Sequence, residues 1–333
     1  MNRTTDSVAE SVLRFAFGFA VVAVCLLIAG CSRRDFGTLG RRDDPVQLRL
    51  MQSARPDAVR RLGNSLEKHF ETRTNVSVRA KVANDSGELA RRFGNGVVHV
   101  ALTNTFGYLL LRKWGDAQAV LRLRFGSGAD FYEGRLVVRS DSPVRTIDDL
   151  NNRVIGFKDR YATSGYIMPL MLMRKQKVRP ARSIFAGSYL AVLEGVADGR
   201  YDAGAIYYDT PGVGGEFRDA RREYRAAHPG APMKFRMLAA TGQIPASPIA
   251  LHPRLPDALK KTLIQELQNY ASTAAGRSLL ESAYDAVGLR PTDSRDYDDL
   301  LAKLRDAGLQ PELLAPGGVS LLILEKMAGA TIE

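Results

Sequence analysis

From residue 45 onward the chain alternates short apolar or β-branched runs with amphipathic stretches of helical period. The runs predict strands at 46–52, 76–83, 99–104, 132–139, 153–158, 202–208, 235–240 and 248–252, each bounded by turn residues. The stretches between them predict helices at about 57–71, 86–94, 166–177, 189–197, 256–271, 274–286 and 294–306. Asp257 and Asp296 stand near helix starts, where the macrodipole favours a carboxylate. Such alternation argues for an α/β architecture with mostly parallel sheet.

The pattern repeats once. Residues 89–104 read LARRFGNGVVHVALTN and residues 192–207 read VLEGVADGRYDAGAIY. Each runs helix, then Gly96 or Gly199, two residues, His99 or Asp202, and a strand of small residues. Glycine at that place fits a helix C-terminus. The echo predicts two similar lobes with the polar strand ends, Thr103-Asn104-Thr105 and Tyr207-Tyr208-Asp209, at equivalent positions. Ligands of open α/β sheets bind at the carboxyl ends of strands.

Composition narrows the class without choosing a function. The 333 residues are 45% hydrophobic and 25% charged, which excludes global disorder, a collagen repeat and a polytopic membrane protein. The net charge of +11 favours an anionic partner: nucleic acid, lipid headgroup or small oxyanion. No nucleic-acid motif accompanies it. Cys25 and Cys31 are too few for a disulfide framework or a four-ligand zinc site. His69, His99, His228 and His252 show no ligand spacing, and no cofactor is expected. No nucleophile–base pair stands out, so an enzyme is not expected.

The N-terminus carries an address. Arg3 and Arg14 precede FAFGFAVVAVCLLIAG at 15–30, short for a span of about 20 residues and suited to a secretory signal. Its end, Ile28-Ala29-Gly30-Cys31, resembles a bacterial lipobox. The expectation is a signal peptide over 1–30, lipidation at Cys31 and a flexible tether over 31–44. The protein is then held on the extracytoplasmic face of a membrane. The arginines of SRRDFGTLGRRDD at 32–44 find a bland role beside anionic headgroups. Gly212, Gly214 and Gly215 lack the Lys-Ser/Thr of a phosphate loop and read as a flexible turn.

One joint combines hydroxyls with a helix start. Strand 153–158 ends in a polar loop, and Ala162-Thr163-Ser164-Gly165-Tyr166 leads into an apolar helix. The first N–H groups of a helix lack internal partners, and the dipole there favours an anion. Pro169 implies that regular helix begins nearer 168, with 163–166 forming the preceding turn. On local sequence, Thr163 and Ser164 either cap the helix or meet a ligand.

The run YATSGYIMP, with AGSYLAVLEGVADGRYDAGAIYYD beginning about 20 residues later, resembles the phosphate/phosphite/phosphonate-binding proteins of ABC importers. TNTFGY at 103–108, Tyr132-Glu133-Gly134 and IPASPIAL at 244–251 extend the resemblance over about 46–286. It implies a type II-like periplasmic-binding-protein fold, two α/β lobes around a ligand cleft. Lobe 1 would take 45–135 plus 247–333, and lobe 2 136–246. By position, Thr163, Ser164, Gly165 and Tyr166 would form the oxyanion loop and Tyr108 would face it from the other lobe. Tyr189 replaces the family's histidine, and Asp209 would take the acidic site. Ala162 replaces a serine, while Lys158 and Arg160 add positive charge beside the loop. The implied function is capture of a phosphonate, phosphite or phosphate-like anion by a monomer that docks on a permease with its ATPase. A ligand-presenting partner of a membrane sensor, or another small anionic or zwitterionic solute, stay open.

Overall fold

The computed structural model describes residues 36–126, 128–209, 217–310 and 331–332. The expected signal segment, Cys31 and the 212–215 glycine turn lie outside the described residues. Among the described residues no helix is long and apolar enough to cross a membrane.

The chain opens with β1 (Val46–Met51), α1 (Pro56–Arg73), β2 (Val78–Ala83), α2 (Ser86–Gly94), β3 (Val100–Leu102), α3 (Thr105–Gly115) and β4 (Gln118–Phe125). It crosses into β5 (Phe131–Arg139), β6 (Val154–Phe157), α4 (Met168–Lys175), β7 (Arg182–Phe185), α5 (Tyr189–Ala197), β8 (Ala203–Tyr208), α6 (Arg221–Ala227) and β9 (Phe235–Pro245). It returns through β10 (Pro248–Leu251), α7 (Asp257–Ser272), α8 (Ala274–Tyr284), β11 (Ala286–Pro291) and α9 (Asp298–Asp306), and β12 (Thr331–Ile332) follows.

Two sheets result, ordered β11-β4-β10-β3-β1-β2 and β12-β7-β6-β8-β5-β9. Their central orders correspond. In the first, β1 lies parallel to β2 and β3, and β10 runs antiparallel beside β3. In the second, β6 lies parallel to β7 and β8, and β5 runs antiparallel beside β8. Each sheet receives one antiparallel strand next to the chain crossing, so the lobes are two copies of one plan joined by β4–β5 and β9–β10.

The sequence echo has a physical cause. Gly96 and Gly199 both adopt left-handed φ, +69° and +76°, just past the ends of α2 and α5. The polar residue three positions on secures the neighbouring strand. His99 Nδ1 accepts from the Gln47 N–H at 3.0 Å, and an Asp202 carboxylate oxygen accepts from the Val154 N–H at 2.9 Å. With Nδ1 accepting, His99 Nε2 carries the proton and donates to the Gly96 carbonyl at 3.1 Å. Histidine and aspartate thus do one task in the two lobes.

Several boundaries depart from expectation. Lobe 2 begins at Phe131 rather than 136, because Phe131 and Tyr132 pair with Pro245 and Ile244 across β9. The last described residues pair with β7 in the second sheet, so the expected assignment of 247–333 to lobe 1 is corrected at its end. Residues 38–44 form a packed turn rather than tether: Gly40 N–H donates to the Asp44 carbonyl, and Ser77 N–H to the Gly40 carbonyl. α3, β4, β7, α6, β11 and β12 lie outside the expected set. α8 stops at Tyr284, where Asp285 turns left-handed at φ +58°, and β11 takes over.

The crossing is braced. Asp130, buried at the crossover, accepts from Arg122 at 2.8 Å and Arg290 at 2.6 Å. Tyr297, fully buried, donates to the Ala246 carbonyl at 2.9 Å on the return crossing. One apolar cluster runs from Leu89 and Phe93 through Phe106 and Leu110 to Ile155 and Met173, and includes Leu300 and Leu304 of α9. α9 therefore packs into a cluster that residues of both lobes share.

Candidate functional site

A cleft of about 920 Å³ lies where the carboxyl ends of both parallel sets meet. Lobe 1 lines it with the turns after β1, β2 and β3, around Gln52–Pro56, Asn84–Ser86 and Leu102–Asn104. Lobe 2 lines it with Lys158–Ser164 after β6, Phe185–Tyr189 after β7, and Tyr207 and Asp209 of and after β8. Tyr132 of β5 and Ser247 supply the crossing side. This is the position that open α/β sheets reserve for ligands.

The β6 joint has the shape that Pro169 demands. Thr163–Ile167 form one wide π turn, and α4 begins at Met168 with Pro169 in its first turn. Its leading residue, Ala162, makes no side-chain cap. Neither hydroxyl caps its own turn. Thr163 Oγ1 accepts from the Phe106 N–H at 2.9 Å, capping α3 of the opposite lobe. Ser164 Oγ pairs with the Tyr189 hydroxyl at 2.8 Å. Gly165 is held in close contact: a Cβ there would stand 2.8 Å from Tyr189 Cε1 and 3.0 Å from Lys158 Cβ. Gly134 in β5 makes a similar approach from below, where a Cβ would lie 2.9 Å from the Ser164 carbonyl oxygen.

The aromatic groups divide. Tyr189 and Tyr207 line the cleft with ring centres 4.9 Å apart, edge to face. Burial pushes both phenols well above their ordinary pKa, so both stay neutral donors or acceptors. Burial also raises Tyr132, with hydrogen bonds to Thr105 and Thr163 opposing it. Lys158 Nζ stands 5.3 Å over the Tyr189 ring and 3.2 Å from Asp159. Tyr166 does not join the cleft lining; it is buried between Phe157 and Phe185.

Tyr108 is elsewhere too. α3 starts after the Asn104 cap, whose side chain accepts from the Gly107 N–H, and the turn carries Tyr108 away from the cleft. Its hydroxyl meets Ser294 Oγ at 2.9 Å, and its ring packs 4.8 Å from that of Tyr297. The expectation that Tyr108 faces the oxyanion loop is therefore corrected by helix phase. Lobe 1 instead offers Ser86 at the start of α2 and Thr103 before α3, both nearly fully buried and both lining the cleft. Thr103 Oγ1 has no hydrogen-bond partner among the described residues. The polar end Thr103-Asn104-Thr105 pointed to this place, whereas nothing local singled out Ser86.

Asp209 lines the cleft, together with Glu223 of α6, which the sequence did not single out. Tyr207 donates to Glu223 at 3.3 Å, and burial raises the Glu223 carboxyl above its usual range. Asp285 sits between Arg55 at 2.6 Å and Arg222, so an ion pair joins α6 of lobe 2 to lobe 1. The lining sets Arg55, Lys158, Arg160 and Arg218 against Asp85, Asp159, Asp209, Glu223 and Asp285. Charge at the site is therefore near balance, despite the +11 of the whole chain. No group of three or more potential metal-ligating residues is placed together among the described residues.

Residues 50–297 match the family described as ABC transporter, phosphonate, periplasmic substrate-binding protein. No curated protein matches the sequence. Among solved structures, the chain resembles XAC2383 from Xanthomonas citri bound to ATP, at 18% identity and TM-score 0.66, covering 80% of this chain and 98% of that one. It resembles the binding protein component of an ABC phosphonate transporter from Pseudomonas aeruginosa, at 15% identity and TM-score 0.65, covering 86% and 94%. PhnD1 from Prochlorococcus marinus in complex with methylphosphonate matches at 15% identity and TM-score 0.64, covering 79% and 98%. At such identities these structures speak for the two-lobed fold alone. The family match covers most of the chain, and its span takes in both lobes and the cleft; this protein belongs to the periplasmic substrate-binding proteins of phosphonate ABC transporters.

Proposed function

We propose that the protein is a lipid-anchored solute-binding component of an ABC importer that captures the oxyanion end of a phosphonate or phosphate-like ligand by lobe closure. The observation that carries the reading is the π turn at Thr163–Ile167. Its leading N–H groups and the Ser164 hydroxyl stand at the carboxyl end of β6, beside Tyr189 and Lys158. Backbone donors at a turn start suit an anion without requiring a surplus of cations. Thr163, Ser164 and Gly165 hold the anion in this reading, with Tyr189 as a further donor, and Asp209 receives a ligand hydroxyl or amine. Tyr166 supports the loop from behind.

Closure follows from the ligand touching both lobes, which shifts the equilibrium toward the joined form. The joined form docks as a monomer on a permease that works with an ATPase. The lipid at Cys31 keeps the binding protein at the membrane surface.

Isothermal calorimetry with methylphosphonate, phosphate and phosphite tests the site. Hydrogen bonds to charged groups contribute about 1.5–3 kcal/mol, so Ser164→Ala weakens binding roughly tenfold to a hundredfold. Unchanged affinity in a folded Ser164→Ala protein refutes the assignment. Mass spectrometry of the mature protein tests the anchor: acyl mass on an N-terminal Cys31 is expected, and its absence there excludes the lipid.

A further inference from the structure

The cleft is much larger than the anion that the proposed reading places in it. Methylphosphonate has five heavy atoms; at about 30 Å³ for each water-sized group it fills about 150 Å³. The cleft holds about 920 Å³, within the range of about 300–1,000 Å³ that suits organic ligands of much greater size. The two lobes already touch at two places beside this space. Thr163 already reaches Phe106 of the opposite lobe, and Asp285 already pairs with Arg222 across the cleft. The space remains with both contacts made.

The walls beyond the oxyanion loop are of a second character. Phe125, Tyr207 and Tyr284 supply aromatic surface, and the small residues Ser53 and Ala54 line the same space. Glu223 and Asp209 face the same space as acceptors. Such a wall suits a ring that stacks on aromatic faces and donates hydrogen bonds. The near balance of charge in the lining also fits a ligand with one anionic end and a larger uncharged body better than a compact dianion.

We infer that the cognate ligand is a phosphomonoester or phosphonate carrying a hydroxylated or amino-bearing ring system of nucleoside size. Its anionic end lies on Thr163–Gly165, and the ring lies between Tyr207 and the Ser53–Ala54 turn. This rests on the proposed oxyanion reading and adds the body of the ligand to it.

Calorimetry on the ligand-free full protein compares adenosine monophosphate, adenosine, methylphosphonate and inorganic phosphate as probes. The monophosphate is expected to bind at least tenfold tighter than the other three. Ala54→Trp, on an exposed turn outside the core, fills the ring space. It should lower monophosphate affinity at least tenfold and leave methylphosphonate within about twofold. If methylphosphonate or phosphate binds as tightly as the monophosphate, the ring inference falls and the oxyanion reading stands. If Ala54→Trp leaves monophosphate affinity unchanged, the placement of the ring falls. If adenosine binds as tightly as its monophosphate, or none of the four binds, the oxyanion reading falls and takes the inference with it.

Discussion

Gly165 shows how a single missing side chain shapes the site. A Cβ would press on the Tyr189 ring edge at 2.8 Å and on the Lys158 stem. Gly165→Ala should therefore displace Tyr189 and lower phosphonate affinity at least tenfold, measured by calorimetry, with a thermal midpoint only slightly reduced. Tyr189→Phe leaves the packing and removes the hydroxyl beside Ser164. Its expected loss is smaller, about threefold to tenfold, equivalent to roughly 1 kcal/mol for one hydrogen bond. His252 gives a stability signal independent of ligand. It is buried in lobe 1, and burial first, then Arg254 and Lys260, lower its pKa to about 4 from 6.5. Between those values the unfolded chain takes up a proton that the folded one refuses, so stability falls as pH drops from about 6.5 to 4. Denaturant unfolding across that window should show a weaker pH slope for His252→Gln than for the parent. That Ser164 and Asp209 line the cleft was legible, because a hydroxyl and a carboxylate followed strand ends. Tyr108 was misplaced because helix phase, fixed by the Asn104 cap, sends it to Ser294.

At the scale of elements, the most legible were those with a strong period and clear ends. α2 and α5 lie over 86–94 and 189–197 as expected, each stopped by a left-handed glycine. α3 escaped prediction because TFGYLLLRKWG has no polar face over its first seven residues, all of which are buried. Short β7 carries Arg182 and Ser183 in a four-residue run, too little for a periodic signal. The paired securing contacts of His99 and Asp202 allow a comparison between lobes. His99→Leu leaves the half-buried Gln47 N–H and the buried Gly96 carbonyl without the fully buried ring that pairs with both. Asp202 is about 34% exposed, so water reaches the Val154 N–H when its carboxylate is removed. An unsatisfied buried group costs about 1–3 kcal/mol. His99→Leu should lower the unfolding midpoint clearly more than Asp202→Ala, as differential scanning fluorimetry would report.

For the whole molecule, the Arg222–Asp285–Arg55 group is an ionic tie between lobes at the cleft. These side chains are a quarter to over a third exposed, so the tie contributes at most about 1 kcal/mol and weakens with salt. That is enough to bias a balance between open and closed forms without locking it. Asp285→Asn keeps a residue that tolerates the left-handed turn and removes the charge. Small-angle scattering of the ligand-free variant should show a larger radius of gyration than the parent at low salt. The difference should shrink in 0.5 M salt, a test concentration at which screening spans only about 4–5 Å. An identical radius under both conditions would mean that the shared core around α9, rather than the ion pair, sets the lobe angle.

The alternation of strands and helices, the duplicated lobe plan and the position of the hydroxyl-bearing turn were determined by sequence. Local periodicity, glycine at helix ends and Pro169 act over a few residues and need no distant partner. Which further residues join that turn at the cleft was decided by tertiary structure. Glu223, Ser86 and Asp285 come from three separated segments, and only the meeting of two sheets at their carboxyl ends brings them to one space. The same holds for Thr163, whose hydroxyl reads locally as a cap for its own helix but caps α3 across the cleft. A hydrogen bond between residues 57 positions apart leaves no mark in either neighbourhood.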